Sequence, residues 1–298
     1  MGNTFDTQVL HAFIAVAESR SFSQAAERLF LTQPAISKRI AGLEEQLGKR
    51  LFDRVGRQIQ LTEAGKLLLA RSYLLFDMME DTRRALDNLD GEIAGTLTFA
   101  TSHHIGLHRL PPVLETFAHQ YPNVRLDIRF GESEKAYEGV LKGEFELAII
   151  TLAPDPDPRL ESISIWDDEL RFVCSQHHPL AQAEALTLQQ LAEYEAILPD
   201  QRTFTRQRLE ELLKEHELRL KLGMTTNNLD TIRMLVQIGQ GWSLLPSKLS
   251  EGLCLLPLLD KPIDRPLGYI RHRERTLSNA AEAFMQTLRD HTNETTAE

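Results

Sequence analysis

The sequence predicts an α/β protein with a small helical N-terminal module, one long helix and a larger C-terminal α/β region. Three observations support this fold class. Residues 7–61 contain short amphipathic segments followed by two strand-like segments. Residues 62–90 keep a helical pattern without an internal break. From residue 91 onward, strand-like apolar runs alternate with helix-like segments, which is typical of βαβ units with a parallel sheet.

The composition is that of an ordinary globular protein, but the charge is unevenly distributed. The chain has 298 residues, 42% hydrophobic and 26% charged, and a formal net charge of −10. Residues 1–61 nevertheless hold eight Lys and Arg against six Asp and Glu, with six of these basic residues between positions 38 and 57. A local basic cluster governs contact with phosphates more than the whole-chain charge does. The acidic excess belongs to residues 91–298.

The termini and the cysteines suggest a cytoplasmic protein. The N-terminal segment contains Asp6 and lacks the basic stretch followed by an apolar run that a secretory signal has, so we expect no such signal. No apolar stretch is long enough for us to expect a membrane span. Cys174 and Cys254 lie 80 positions apart, which fits no metal-binding or redox motif. We interpret both as buried apolar residues in a reducing cytosol, with a thiol role as the less favoured alternative.

The second predicted helix, the short turn after it and the third predicted helix have the order of a helix-turn-helix. Residues 9–18 predict the first helix, and residues 24–30 predict a short second helix that either Ser21 or Ser23 can cap. The turn at residues 31–32 lacks the glycine often found there, so the prediction depends on the overall pattern.

The third predicted helix organises the module. Thr32 can cap it, and Pro34 fits its first turn. Its buried stripe is predicted by apolar residues at steps of four, three and four: Ile36, Ile40, Leu43 and Leu47. An ordinary surface helix is the alternative, but in a helix-turn-helix the second helix of the pair enters the major groove of DNA. The residues that we expect at this DNA surface are Ser21, Ser23, Thr32, Gln33, Pro34, Ser37, Lys38 and Arg39.

Residues 51–61 predict a two-stranded hairpin, or wing, with Gly56 in its turn. Arg54 and Arg57 lie near its tip, where we expect them to contact the phosphate backbone or the minor groove. A solvated basic hairpin is the alternative if the helices beside it are ignored.

Residues 63–89 predict a helix about 40 Å long that Thr62 caps. An imperfect heptad seam runs through positions 64, 68, 71, 75, 78, 82, 85 and 89. So long a seam predicts a linker that pairs two chains, while packing against its own chain is the alternative.

The segment FIAVAESRSFSQAAERLFLTQPAISKRIAGLEEQLGKRLFDR, followed by LTEAG at residues 61–65, resembles the DNA-binding region of the LysR-type transcriptional regulators. The resemblance covers residues 7–67, and the element order agrees over nearly the whole remainder. It implies a winged helix-turn-helix (residues 1–61), a linker helix (62–90) and an effector-binding domain (91–298). It also implies a homotetramer, formed as a dimer of dimers, on an interrupted palindromic operator in double-stranded DNA.

The C-terminal region predicts two α/β lobes, as in the periplasmic-type binding proteins that regulators of this family resemble. Crossings near residues 163–166 and 264–267 divide it into lobe I (91–163 and 267–290) and lobe II (164–266). We expect a last helix from Ser278 to about residue 289, followed by a disordered tail. Strands are predicted at residues 96–101, 124–130, 146–151, 170–175, 196–199, 220–225, 243–246 and 267–271.

A cleft between the lobes is the predicted effector site. Ligands of open α/β sheets collect beyond the carboxyl ends of strands, near helix N-termini, which suits a small organic anion. The family resemblance implies the same place, although the pair His103-His104 replaces the small residues more common there. The polar residues at these positions are Thr101, Ser102, His103, His104, Ser133, Thr151, Thr203, Thr205, Arg206 and Asn227. The alternative for each Ser and Thr hydroxyl is that it caps a helix and contacts no ligand. A metal site at His103-His104 is disfavoured, because no third ligand occurs at a spacing typical of metal sites.

Two other classes of protein fit the sequence less well. An enzyme could use His103 or His104 in the cleft, but no nucleophile elbow, phosphate loop, dinucleotide fingerprint or zinc signature is present. The N-terminal module and the missing signal peptide oppose a solute-binding protein. We therefore expect no enzymatic activity, no cofactor and no metal.

Overall fold

The computed structural model describes residues 6–55, 58–183, 186–259 and 263–296. The chain divides into two compact units, Met1–Arg83 and Arg84–Glu298. No helix in the described part of the chain is both long and apolar enough to cross a membrane.

The N-terminal unit has the predicted order of helices and hairpin. Ile36, Ile40 and Leu43 are buried in its core, whereas Leu47 is only partly buried. Antiparallel pairing of the two hairpin strands confirms the predicted wing. The elements are α1 (Thr7–Ser19), α2 (Phe22–Arg28), α3 (Gln33–Leu47), β1 (Phe52–Val55), β2 (Gln58–Leu61) and α4 (Glu63–Asp87).

Helix α2 begins and ends two residues earlier than predicted. The Ser21 hydroxyl accepts a hydrogen bond from the backbone N–H of Gln24, so Ser21 rather than Ser23 is the cap. The turn that follows contains no glycine, and Phe30 instead adopts a left-handed φ of 55°. Such a conformation is uncommon for a bulky residue. The helix-turn-helix therefore forms without the usual turn residue.

Gly65 allows α4 to lie directly against the segment that precedes the wing. A Cβ atom at this position would lie 2.1 Å from the carbonyl oxygen of Leu51. Thr62 caps the helix as predicted, because its hydroxyl accepts from the N–H of Gly65 and donates to the carbonyl of Arg50. The threonine and the glycine of the LTEAG motif are thus explained by the packing of α4 against this segment.

The apolar residues of α4 fall into two groups. Ala64 and Leu68, the first two members of the predicted seam, pack against the core of the N-terminal unit. The later seam members are exposed, and one of them, Met78, is 70% exposed. A stripe of exposed apolar side chains on α4, the linker stripe, consists of Leu67, Leu74, Leu75 and Met78.

Lobe I of the C-terminal unit is built on a mixed sheet with the order β4-β3-β5-β13-β6. Strands β3, β4 and β5 are parallel, as predicted for the βαβ units, and β13 is antiparallel to both of its neighbours. The elements are β3 (Gly95–Ser102), α5 (His103–His108), α6 (Pro111–Gln120), β4 (Val124–Gly131), α7 (Ser133–Lys142), β5 (Leu147–Thr151), β6 (Leu160–Trp166), β13 (Leu267–His272) and α11 (Asn279–Thr296).

Lobe II contains an antiparallel sheet with the order β10-β7-β11, with β12 also paired to β7, and the parallel pair β8-β9. Its hydrophobic core includes Leu170, Leu198, Leu209 and Trp242. The elements are β7 (Glu169–Cys174), α8 (Leu188–Ala192), β8 (Glu195–Leu198), α9 (Phe204–Glu215), β9 (Lys221–Thr225), α10 (Leu229–Gln237), β10 (Ser243–Pro246), β11 (Cys254–Leu255) and β12 (Ile263–Asp264).

Two predicted boundaries need correction. Residues 164–166, which we assigned to lobe II, belong to β6 and pair with β13 in the sheet of lobe I. The first crossing is therefore at Asp167-Asp168, and the second is at Arg265-Pro266. The last helix, α11, continues to Thr296 rather than ending near residue 289, so most of the predicted disordered tail is helical.

Candidate functional site

The outward face of α3 carries the predicted DNA-binding residues. Gln33, Pro34 and Lys38 are exposed, and Ser37 and Arg39 are partly exposed. The Gln33 amide lies 3.4 Å from the Ser37 hydroxyl, so these two side chains are neighbours on one surface. This face presents hydrogen-bonding groups and the exposed cationic side chain of Lys38, which are kinds of group that contact DNA in other proteins.

Several of the other predicted residues have a structural contact as well. Thr32 caps α3 by accepting from the N–H of Ala35, and Ser21 caps α2 as described above. The guanidinium of Arg39 donates to the Gln8 side chain at 3.2 Å. Ser23 is exposed in the first turn of α2. Arg57 and the side chain of Arg54 lie outside the described residues.

A cavity of about 570 Å³ lies between the two lobes. This volume is in the range of small-molecule sites. The first turns of α7, α9 and α10 contribute to its lining, through Ser133, Thr205 and Leu229 among others. The N-terminus of a helix carries a partial positive charge and N–H groups without helical partners, and the carboxylates of Glu132, Glu134 and Asp230 also line the cavity.

Eight of the ten predicted effector residues line the cavity, and two do not. Thr101 is fully buried, and its hydroxyl donates to the carbonyl of Ile149 on the adjacent strand at 2.8 Å. Arg206 is also buried, and its guanidinium donates to Glu210 on the same helix. Those that line it are Ser102, His103, His104, Ser133, Thr151, Thr203, Thr205 and Asn227.

Arg265 lines the cavity and was missed in the sequence. It is 3% exposed, its Nε atom lies 2.9 Å from a carboxylate oxygen of Asp168, and its guanidinium also reaches the Thr205 hydroxyl at 3.4 Å. Asp168 contacts Arg109 as well, at 3.3 Å. Burial alone would raise the pKa of Asp168, but contacts with His104 and Arg265 outweigh it and hold the pKa at about 2. The sequence-based prediction considered only residues that follow the carboxyl ends of strands, whereas Arg265 lies on the second crossing between the lobes.

The two histidines differ in their surroundings. His103 stacks on Phe130, with 5.6 Å between the ring centroids. His104 is buried, and its Nε2 atom is 4.0 Å from an oxygen of Asp168. Burial lowers the pKa of His104, so this imidazole is neutral at pH 7. No group of three or more potential metal-ligating side chains occurs among the described residues.

Two carboxylates of lobe I contact lobe II across the cavity. Glu134 accepts a hydrogen bond from the backbone N–H of Phe204, in the first turn of α9, at 2.6 Å. Glu132 accepts from the Asn227 amide at 2.5 Å and pairs with Lys135 at 2.8 Å. Burial raises the pKa of Glu134 even though the hydrogen bond from Phe204 opposes this shift. The lobes are thus joined by hydrogen bonds on the cavity wall itself.

Comparison with known proteins gives one family for both units. Residues 7–66 match the bacterial regulatory helix-turn-helix proteins of the lysR family, and residues 90–293 match the LysR substrate binding domain. A probable RuBisCO transcriptional regulator of Synechocystis sp. is 32% identical over 295 residues, which is 95% of this chain and 86% of that protein. An uncharacterized HTH-type regulator from the ibpB-leuC intergenic region of Azotobacter vinelandii is 67% identical over 107 residues, 36% of this chain and 74% of that protein.

Solved structures share the fold. Full-length CbnR complexed with its target DNA has a TM-score of 0.62 and 20% identity, covering 96% of this chain and 99% of CbnR. The effector binding domain of QuiR in complex with shikimate has a TM-score of 0.61 and 21% identity, covering 67% of this chain and 98% of that domain. The families and relatives matched are transcriptional regulators and not enzymes. With both family domains present in the family's order, this chain belongs to the LysR-type DNA-binding transcriptional regulators.

Proposed function

We propose that this regulator reads its operator with the exposed face of α3 and the wing, under the control of a small organic anion bound in the interlobe cavity. The proposal that α3 reads DNA is supported by the exposure of Gln33, Pro34 and Lys38 on the second helix of the helix-turn-helix pair, the helix that enters the major groove in this motif. Gln33, Ser37 and Lys38 reach base edges or nearby phosphates, while Arg39, Arg54 and Arg57 hold the backbone. The caps Ser21 and Thr32, with Ser23, orient backbone N–H groups at the phosphates.

The second half is supported by the chemistry of the cavity. Helix N-termini from both lobes and the guanidinium of Arg265 favour a carboxylate. Shikimate, which is bound to the related domain of QuiR, is itself a carboxylic acid. The hydroxyls of Ser102, Ser133, Thr203 and Thr205 and the amide of Asn227 provide neutral hydrogen bonds around it.

We further propose that the protein is cytoplasmic and works as a homotetramer, a dimer of dimers. The linker stripe supports pairing through α4, because a row of exposed apolar side chains on one helix is the surface that a second helix buries. Two paired modules then face two half-sites of an interrupted palindrome.

A genome-wide footprint of the purified protein at moderate salt tests this proposal. Moderate salt suppresses nonspecific binding to phosphates. We expect binding at a few promoters that contain interrupted palindromes. Carboxylic acids from the pathways of the neighbouring genes can then be tested for an increase in the melting temperature of the protein. Ser102→Ala should abolish this increase, whereas Ser250→Ala, outside the cavity, should keep it. Diffuse, salt-sensitive binding without a recurring palindrome would contradict the proposal that α3 and the wing read an operator.

A further inference from the structure

Cys174 and Cys254 are cross-strand neighbours, although they are 80 positions apart in the sequence. Cys254 of β11 lies opposite Cys174 of β7 in an antiparallel register. Two positions along both strands, the N–H of Leu256 donates to the carbonyl of Phe172 at 2.9 Å. Since the two types of pair alternate, the cysteines also occupy a hydrogen-bonded pair, in which Cα atoms are about 5.5 Å apart. This separation lies within the range that a disulfide spans.

The two thiols lie on the same face of the sheet. Cys174 is part of the hydrophobic core of lobe II, and Cys254 packs against that same core. Burial, followed by the nearby thiol of Cys254, raises the pKa of Cys174 to about 12. Cys174 is fully buried, whereas Cys254 is only partly buried. A small oxidant in solvent therefore meets Cys254 first.

We propose that Cys174 and Cys254 form a redox-sensitive pair, which closes into an intramolecular disulfide when a peroxide reaches Cys254. The thiolate sulfur of Cys254 attacks one oxygen of hydrogen peroxide, the O–O bond breaks, and hydroxide leaves, so that Cys254 becomes a sulfenic acid. Cys174 then loses its proton, and its sulfur attacks the Cys254 sulfur while the S–O bond breaks and hydroxide leaves. Both hydroxides are protonated, so two thiols and one peroxide give one disulfide and two waters.

This reaction requires no large movement of the backbone, because the sheet already holds the two residues opposite each other. The second step is the slower one, since the Cys174 thiol must be deprotonated and its pKa is high. We therefore expect cross-linking to be faster at pH 9 than at pH 7. The cross-link also joins β7, which follows the first crossing, to the segment that leads through β12 to the second crossing.

The experiment exposes the reduced full-length protein to hydrogen peroxide, then labels remaining thiols and measures the intact mass. These are the only two cysteines in the sequence, so an intramolecular disulfide has one possible identity. We expect a product about 2 Da lighter that carries no label and runs as a monomer on a non-reducing denaturing gel. Its thermal midpoint should exceed that of the reduced protein by about 5–10 °C, since the bridge closes a long loop. Dithiothreitol should reverse both changes.

A register-shifted variant is the matched control. In the double variant Cys254→Ser, Leu255→Cys the chain keeps two cysteines, but adjacent strand residues point to opposite faces, so the new thiol faces away from Cys174. We expect this variant to lose at least roughly tenfold in the rate of intramolecular cross-linking, as expected from loss of alignment. Cys174→Ser provides the single-thiol reference.

Three outcomes would overturn the proposal. In the first, Cys254 gains oxygen while Cys174 remains labelled. In the second, the disulfide joins two chains and gives a dimer on the gel. In the third, the register-shifted variant cross-links as fast as the natural sequence, which would mean that β11 is too mobile for the pairing to matter.

Discussion

The Asp168 carboxylate and the Arg265 guanidinium form a buried ion pair at the two points where the chain crosses between the lobes. Both side chains are at most 4% exposed, and an Nε–Oδ2 distance of 2.9 Å joins them. Arg265 also lines the interlobe cavity. One residue thus belongs both to the connection between the lobes and to the surface that a ligand would contact.

Asp168→Asn is expected to destabilise the C-terminal unit. The substitution leaves the Arg265 charge buried without its partner, which costs about 3–5 kcal/mol in the free energy of unfolding. Urea unfolding at pH 7 measures this loss. Asp167→Asn is the matched control, because Asp167 is adjacent but exposed and should change the free energy of unfolding by less than about 0.5 kcal/mol. Equal stability of the two variants would refute the importance of the pair.

The same carboxylate predicts how stability depends on pH. The pKa of Asp168 is about 2 in the folded protein against an ordinary value of 3.8. Because folding lowers the pKa of Asp168, the ionised carboxylate stabilises the folded protein fully at any pH above the pKa of Asp168 in the unfolded chain. This stabilisation is lost as the pH falls from about 4 towards about 2. The difference between the natural protein and Asp168→Asn should narrow over this interval. If the difference in the free energy of unfolding stayed constant from about pH 4 to about pH 2, the ion pair would not be the source of the lost stability.

Gly65→Ala should destabilise the N-terminal unit. The added Cβ would lie 2.1 Å from the Leu51 carbonyl oxygen, so α4 or the segment before the wing must shift, at a cost of about 1–3 kcal/mol. The measurement is denaturant unfolding followed by circular dichroism. Gly42→Ala is the control, since no atom lies within 4 Å of the added Cβ and alanine favours a helix by up to about 1 kcal/mol. A neutral Gly65→Ala would contradict the described packing.

Met78→Asp should weaken self-association through the linker stripe. Burying a carboxylate in an apolar helix pair without a partner is unfavourable, and we expect the dimer dissociation constant to rise by roughly 100-fold. Sedimentation velocity across a concentration series gives this constant. Gln189→Asp adds the same charge at an exposed position of α8 in lobe II, away from the linker stripe, and should leave association unchanged. If both variants associate like the natural protein, α4 does not pair through this face.

Glu134→Ala should loosen the contact between the lobes at α9. The carboxylate accepts from the Phe204 N–H across the cavity, so its removal should speed hydrogen exchange at that amide by roughly tenfold. Mass-resolved hydrogen exchange of the full chain tests this. Glu138→Ala, which removes an exposed carboxylate of the same helix paired with Lys142, should leave the Phe204 amide unaffected. Unchanged exchange in Glu134→Ala would mean that this bond does not hold the lobes.

Local patterns were sufficient to predict most elements of this fold. The strands predicted in the C-terminal region are present, with ends shifted by no more than about one residue, as expected where apolar runs are bounded by turns. The buried stripe of α3 likewise follows from helical spacing, because Ile36, Ile40 and Leu43 each recur at the same face. These predictions needed only neighbours along the chain.

What the sequence missed depends on partners far apart in the chain. β12 is two residues long and exists because it pairs with β7, about a hundred positions earlier. The position of Arg265 in the cavity depends on where the second crossing meets Asp168. Thr101 and Ser102 are adjacent, but strand alternation directs one into the sheet and the other to the cavity. The sequence pattern alone does not show which of the two side chains lines the cavity.

The central claim is that the exposed face of α3 reads DNA. The most direct test compares two variants, each lacking one lysine, in their affinity for an operator found by the genome-wide footprint. Lys38→Ala removes a cation from the exposed face of α3, and Lys66→Ala removes one from α4, where it pairs with Glu63. At fixed salt, we expect Lys38→Ala to weaken binding by about tenfold and Lys66→Ala to change it by less than about twofold. Equal affinities for the two variants and the natural protein would contradict the assignment of the α3 face as the surface that reads DNA.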